Sequence, residues 1–323
     1  MTRKPLLILT LLFSAACSPV FSTAQNASPK HTEFSAPAHS ATSASVNLSA
    51  SPEDVTIEPN ETGNYFDAEI DYIGTLDYDA SGQNESYSVS LREDANNLSY
   101  SGDPLLWDVR IDPATPLDLA VRSSSGRLSL NLNDFTLNGL RAVTSSGEMV
   151  LNLPATEQQY DAEIESSSGT VSVTLEDNAR IDFGRLNSSS GSMTLNTGND
   201  SKVAAAVESS SGIFTLNGGN DLELTGRVAT SSGGINLHFE PESEIALSLS
   251  TSSGDITLDV PEGAALKLEV LDNSSGSVSV PDWLARVSGT DKTGVWETEG
   301  FAQSERQIVI TVERNSSGAI SVG

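Results

Sequence analysis

From Val121 onward, apolar and polar residues alternate in short bursts, and Ser-Ser-Gly punctuates them nine times. The glycines are Gly126, Gly147, Gly169, Gly191, Gly212, Gly233, Gly254, Gly276 and Gly318. Successive spacings are 21 or 22 residues, until a last gap of 42. That gap reads as two periods, with one unit near Trp296 lacking its signature. The second and fourth residues after every glycine are apolar, from Leu128 and Leu130 to Ile320 and Val322. Ser, Thr, Asn or Asp mostly stand between them. A period of two with one apolar face is a half-buried β-strand. A second alternating stretch precedes each turn, and five residues before the glycines stand Val121, Ala142, Ile164, Leu186, Val207, Val228, Leu249 and Leu271. Each unit therefore predicts strand, turn, strand, turn. No 3.6-residue period is present, and glycine recurs too often for helices.

A fixed period of this length predicts an all-β, single-stranded β-solenoid with 21–22-residue coils and two strands per coil. Equivalent strands then stack in parallel, about 4.8 Å apart, and ten or so coils make a rod of about 45–50 Å. The turn glycines are expected to supply a positive φ. The serines are expected to form ladders, their hydroxyls bonded to one another or to turn backbone. Ala80-Ser81-Gly82 lies two periods before Gly126 and extends the expected repeat upstream.

Around this repeat the chain divides into three further parts. Residues 65–121 carry alternating β-branched and aromatic stretches, such as "YFDAEIDYIGTLDY", and are expected to form N-terminal strands covering the first coil. Residues 122–281 hold the regular repeats, and residues 282–323 are expected to form C-terminal coils, with Trp283 and Trp296 packed near the far end. Residues 18–64 are rich in Ser, Ala, Thr and Pro and predict a disordered tether. Residues 1–17 have a basic start at Arg3 and Lys4, an apolar run and then small residues, which is a secretory signal too short to span a bilayer. Ser14-Ala15-Ala16-Cys17 is similar to a bacterial lipobox, in which the cysteine is lipidated; cleavage after Ser22-Thr23-Ala24 is the alternative. Cys17 is the only cysteine, so no intrachain disulfide forms.

Composition sharpens the functional reading. The formal net charge is -27, which excludes nucleic acid as a partner and disfavours anionic lipid heads. Hydrophobic residues make up 37 % of the chain and aromatics 6 %, which is low and calls for small aliphatics buried in a regular way.

Two stretches carry a family resemblance. "WDVRIDPATPLDLAVRSSSGRLSLNLNDFTLNGLRAVTSSGEMVLNLP" resembles the toast-rack domain of LiaF-like cell-envelope stress proteins. "TSSGDITLDV" and its neighbours resemble the bacterial "putative adhesin" family DUF4097. Together these cover residues 86–323. The resemblance implies an extracytoplasmic, noncatalytic envelope protein, with no functional residues to carry over. Regulatory LiaF-like proteins also have membrane helices, for which this sequence has no second apolar stretch.

Candidate chemistry is sparse. His31 and His39 fall in the expected tether and His238 at an outward strand position, so none suits a Ser-His-Asp arrangement. Acids are plentiful without a distinctive pair, and the tight period leaves little room for cleft-forming loops, so no enzyme is expected. "TLEDNARID", "NTGNDSK" and "NGGNDLEL" put Asp and Asn at turns, where they read as ordinary turn residues or as oxygen ligands for calcium. No other cofactor is implied. The expected partners are envelope glycans or another envelope protein, with the membrane reached only through a lipid on Cys17. A stress-sensing accessory of a membrane protein, or a glycan-active enzyme, are the rival readings.

Overall fold

The computed structural model describes residues 25–323, apart from 39, 52, 84, 96 and 97. Two long sheets, of 14 and 13 strands, form the walls of a β-solenoid. In the central coils each turn of chain places its longer strand in the 14-stranded wall and its shorter strand in the 13-stranded wall. The Gly191 coil, for example, contributes Arg180–Ser188 and Met193–Asn196. Like strands pair in parallel and in register, as in Val171↔Met193, Met193↔Phe214 and Phe214↔Ile235. The inward residues of both walls fuse into one continuous core, built from Val, Leu and Ile with Phe183, Phe214 and Phe239 fully buried. Such a core is closed only by stacking, since one coil alone buries too little apolar surface to offset the entropy of ordering it.

The glycine column sets how closely the coils stack. A Cβ built on Gly147 would fall within 3.0 Å of the Gly126 carbonyl, and the same clash links 169 to 147, 191 to 169, 212 to 191, 233 to 212 and 254 to 233. A positive φ occurs at Gly126, Gly147 and Gly169 but at none of the later glycines in the column. The expectation of a left-handed turn therefore holds for three of the nine. The constraint common to the coils is backbone resting on backbone, with no space for a side chain.

The structure revises the chain's ends in four places. First, the tether expected over residues 18–64 is structured from Gln25 on. Ser43–Ala50 and Asp54–Pro59 form a complete coil, with Ala44, Val46, Leu48, Val55 and Ile57 buried. Its register runs straight into the repeat, Val46↔Leu119 and Val55↔Leu128. The alternation was present there, but small residues carry much of it.

Second, this first coil is not outermost. Ser86–Asp94 and Leu106–Ile111 form the next coil beyond it. Antiparallel strands Thr75–Gln83, Asn64–Tyr72 and Lys30–Pro37 close that end. Gly82 lies in the antiparallel Thr75–Gln83 strand, so Ala80-Ser81-Gly82 is no early repeat.

Third, the 42-residue gap holds no degenerate coil. Leu284–Gly289 and Gly294–Thr298 form an antiparallel hairpin on Leu266–Val270, with Trp296 buried. The chain then turns back. Ile308–Asn315 and Ile320–Val322 insert between the Gly254 coil and the Gly276 coil. The glycine clashes follow this spatial order, 318 on 254 and 276 on 318.

Fourth, Leu271 is 56 % exposed, whereas Val270 is buried. The last two coils carry one extra residue before the turn, so Val270 and Val312 take the inward position as partners.

Gly212→Ala should destabilise the rod by at least about 2 kcal/mol, because the Gly191 carbonyl cannot retreat without parting two coils. Gly184→Ala, where a Cβ meets nothing within 4 Å, should stay within about 0.5 kcal/mol of wild type. Thermal and denaturant unfolding of the two variants checks this.

Candidate functional site

The polar residues of the repeat are spent largely on holding it together. Three residues before each glycine stand Ser123, Thr144, Ser166, Ser188, Ser209, Thr230, Thr251, Asn273 and Asn315, all buried. Ser188 accepts from the Gly191 N–H at 2.9 Å and donates to the Gly191 carbonyl at 3.1 Å, closing its own turn. Asn315 does the same for Gly318 with an amide. The serine just before the glycine donates backwards to the previous coil's backbone, as Ser190 does to the Ser167 carbonyl at 3.2 Å and Ser232 to Ser210 at 3.3 Å. These hydroxyls thus bond to turn backbone rather than to one another.

The Asp- and Asn-rich turns form a second ladder. Asp177 accepts from the backbone and side-chain amides of Asn199, and Asn199 Oδ1 accepts both from Asn220. Asn178, Asp200 and Asp221 take left-handed φ of 64°, 54° and 53° beside them. Among the described residues, no group of three His, Cys, Asp or Glu is placed to hold a metal ion. His31 bonds Asp71 and His238 bonds Asp259, each at 2.9 Å on the surface. Hydrogen bonding to Asp71 raises the His31 pKa. His39 and Cys17 lie outside the described residues.

The two outer faces differ. The 14-stranded wall is charged and cross-linked between coils. Arg141 and Arg185 both reach Glu165, Lys202 pairs Glu223, and Arg306 faces Asp221, Glu223 and Glu244. The 13-stranded wall shows two nearly neutral rows. One runs Ser129, Val150, Ser172, Thr194, Thr215, Asn236, Thr257 and Ser321. The other runs Asn131, Asn152, Thr174, Asn196, Asn217, His238 and Asp259. Asn217 donates to Asn196 at 2.7 Å along this second row.

Both ends of the rod carry concave surface, and one cavity lies at the C-terminal end. A cavity of about 780 Å³ lies between the hairpin and the loop entering the Gly276 coil, lined by Glu262, Asp282, Trp283, Val287, Glu297 and Glu299 among others. Sequence reasoning placed Trp283 near this end but missed the cavity, because the hairpin that walls it was read as a coil.

The family model described as the N-terminal domain of toast_rack, DUF2154, matches residues 24–176. Those residues, just under half of the chain, are similar to that domain. They take in the antiparallel cover, the first coil and the coils of Gly126, Gly147 and Gly169, the three whose glycines have positive φ. The chain is also similar to a crystal structure titled as a "putative cell adhesion protein" from Clostridium sporogenes ATCC 15579, at 12% identity and a TM-score of 0.29, over 91% of this chain and 99% of that one. No curated protein matches.

The matched residues contain the most perturbed carboxyl groups. Burial raises Asp67, but hydrogen bonds from Thr62, Ser35, Asn60 and Asn64 outweigh it and hold the group down at about 2. Asp67 is thus a structural knot rather than a general acid. Glu53 is the opposite case. It sits fully buried beside Glu93, and both accept from the Ser51 N–H, at 2.6 and 3.0 Å. Glu93 also accepts from the Ile73 N–H at 3.0 Å, while Glu53 Oε1 is buried without a partner among the described residues. Desolvation first, and then the hydrogen bond and charge of Glu93, push Glu53 up to about 9. A neutral carboxyl tolerates this site and a carboxylate does not.

The sign of the pH dependence follows from that raised pKa. The folded state keeps a proton that the unfolded chain releases near pH 4.5, so the contribution is full below that and gone above about 9. The melting temperature should fall between pH 6 and 9, and Glu53→Gln should flatten that slope. Equal slopes for wild type and variant, in melts across this range, would contradict the assignment.

Proposed function

We propose that this protein is a noncatalytic, extracytoplasmic rod of the cell envelope, adhesive or structural, held to the membrane by a lipid on Cys17. The observation that carries the adhesive reading is the 13-stranded wall. Its rows of Ser, Thr and Asn repeat at the inter-strand spacing along successive coils. A near-neutral, periodic array of hydroxyls and amides suits many weak contacts with a repeating polar polymer such as a glycan, with strength arising from multivalency. A noncatalytic role is supported by what the perturbed carboxyls do, since Glu53 is fully buried and Asp67 is tied up by hydrogen bonds from Thr62, Ser35, Asn60 and Asn64.

The folded residues beginning at Gln25 change the anchoring geometry. Only seven residues separate Cys17 from Gln25, a reach of at most about 29 Å. A lipidated chain would therefore hold the toast-rack end close to the membrane and point the hairpin end outward. In the rival reading as an accessory of a membrane sensor, that same proximity puts the toast-rack end within reach of the sensor.

Two measurements test this. Cosedimentation of the mature chain with isolated envelope polymers should show saturable binding, and Thr215→Lys with Thr257→Lys should weaken it severalfold. Binding to no polymer, or binding indifferent to these changes, would remove the adhesive reading. Cys17→Ser should release the protein from membranes; unchanged retention, with no lipid on the wild-type N-terminus, would remove the anchor.

A further inference from the structure

The cavity at the outward end has a composition unlike either wall. On one side stand Trp283, Ala285 and Val287, alternate residues leading into and along the outermost strand of the 14-stranded sheet. Trp283 is half-buried against the core and Val287 is 62% exposed, so an indole and an isopropyl group remain open to a ligand. The lining also holds four carboxylates. Glu297 is paired to Lys267 at 3.5 Å, whereas Glu262, Asp282 and Glu299 have no ion pair among the described residues. Among the described residues, no Lys or Arg lines the cavity. Gly263 and Gly300 border it with left-handed φ of 101° and 76°, and a Cβ on Gly263 would meet nothing within 4 Å.

The geometry points to a binding site for a cationic saccharide, an oligomer of amino sugars with free amines. Three features select this class. The volume is of the size that takes small ligands. A half-buried indole lining the cavity offers apolar surface to the C–H side of a sugar ring and to a nearby ammonium group. Uncompensated carboxylates accept hydroxyls and ammonium groups alike, and they repel phosphate- or carboxylate-bearing polymers.

A basic extended peptide fits less well. It would need to pair along the open edge of Leu284–Gly289, where a bulge between Arg286 and Ser288 breaks the register and Arg286 repels a basic chain. A second copy of this chain is disfavoured by the net charge of -27. The proposal deepens the envelope-glycan reading above and rests on it for the ligand class, but it uses different residues.

Titration calorimetry of the full mature protein with a chitosan tetramer, its N-acetylated counterpart and a lysine tetramer tests it. The chitosan tetramer should bind, at least tenfold tighter than the other two, and more weakly as salt rises. Trp283→Ala should weaken it about tenfold or more, and Trp283→Phe should recover part of the loss. Asp282→Asn with Glu299→Gln should erase the preference for the free amine. Melting curves establish that each variant is folded. Absence of binding, equal affinity for the N-acetylated tetramer, or indifference to Trp283→Ala each overturns the proposal. A tighter lysine tetramer also overturns it, in favour of a basic peptide. Envelope cosedimentation that survives Trp283→Ala but fails with the wall substitutions would leave the adhesive reading standing while this site falls. The reverse result would separate them the other way.

Discussion

Everything in this rod depends on one close contact, the turn of each coil resting backbone on backbone against the turn before it. A β-carbon at Gly147, Gly169, Gly191, Gly212, Gly233 or Gly254 would enter the preceding turn's carbonyl group. Removing the side chain lets the two walls keep strand spacing right up to the turn. The neighbouring polar residues then follow. A buried hydroxyl, or in the last two coils an amide, sits three residues before the glycine, and a surface serine reaches back one coil. The serine-rich composition is thus a consequence of turn geometry.

The same stacking explains how the rod ends. An open coil would expose strand edges to any passing chain. Here a segment near each terminus is inserted as the next-to-last coil, with a coil from nearer the middle of the chain outside it. At the N-terminal end, Ser43–Pro59 is covered by the Ser86–Ile111 coil and by antiparallel strands on both walls. At the C-terminal end, Ile308–Val322 is covered by the Gly276 coil, and a hairpin closes one wall. Unravelling from the C-terminus, or from the N-terminus once the edge strand Lys30–Pro37 has left, therefore requires an inner coil to leave, which makes the ends cooperative with the middle.

The repeat was legible in the sequence because its period is fixed and its inward residues are large. Leu128, Met149, Val171 and Phe214 announce a strand without help. The first coil was hidden for the opposite reason, because "SASVNLSA" alternates with alanines as much as with Val46 and Leu48, and its composition resembles a linker. The order of the last coils was beyond periodicity altogether. A spacing of 42 is two periods by arithmetic, yet it holds a hairpin and a return, and only pairing partners distinguish the two. The cavity at the tip was illegible as a result, since its walls come from that hairpin. Glu53 gave no signal either, because its effect depends on Glu93 arriving from a different strand.

Amide hydrogen exchange on the intact chain tests this architecture most directly. If these near-terminal segments are inner coils, residues 43–59 and 308–322 should be protected as strongly as the coils of Gly191 and Gly212, and more strongly than the outer hairpin at residues 284–298. Exchange of residues 43–59 within seconds, as a tether would show, or protection that decays from the middle of the sequence toward both termini, would contradict it.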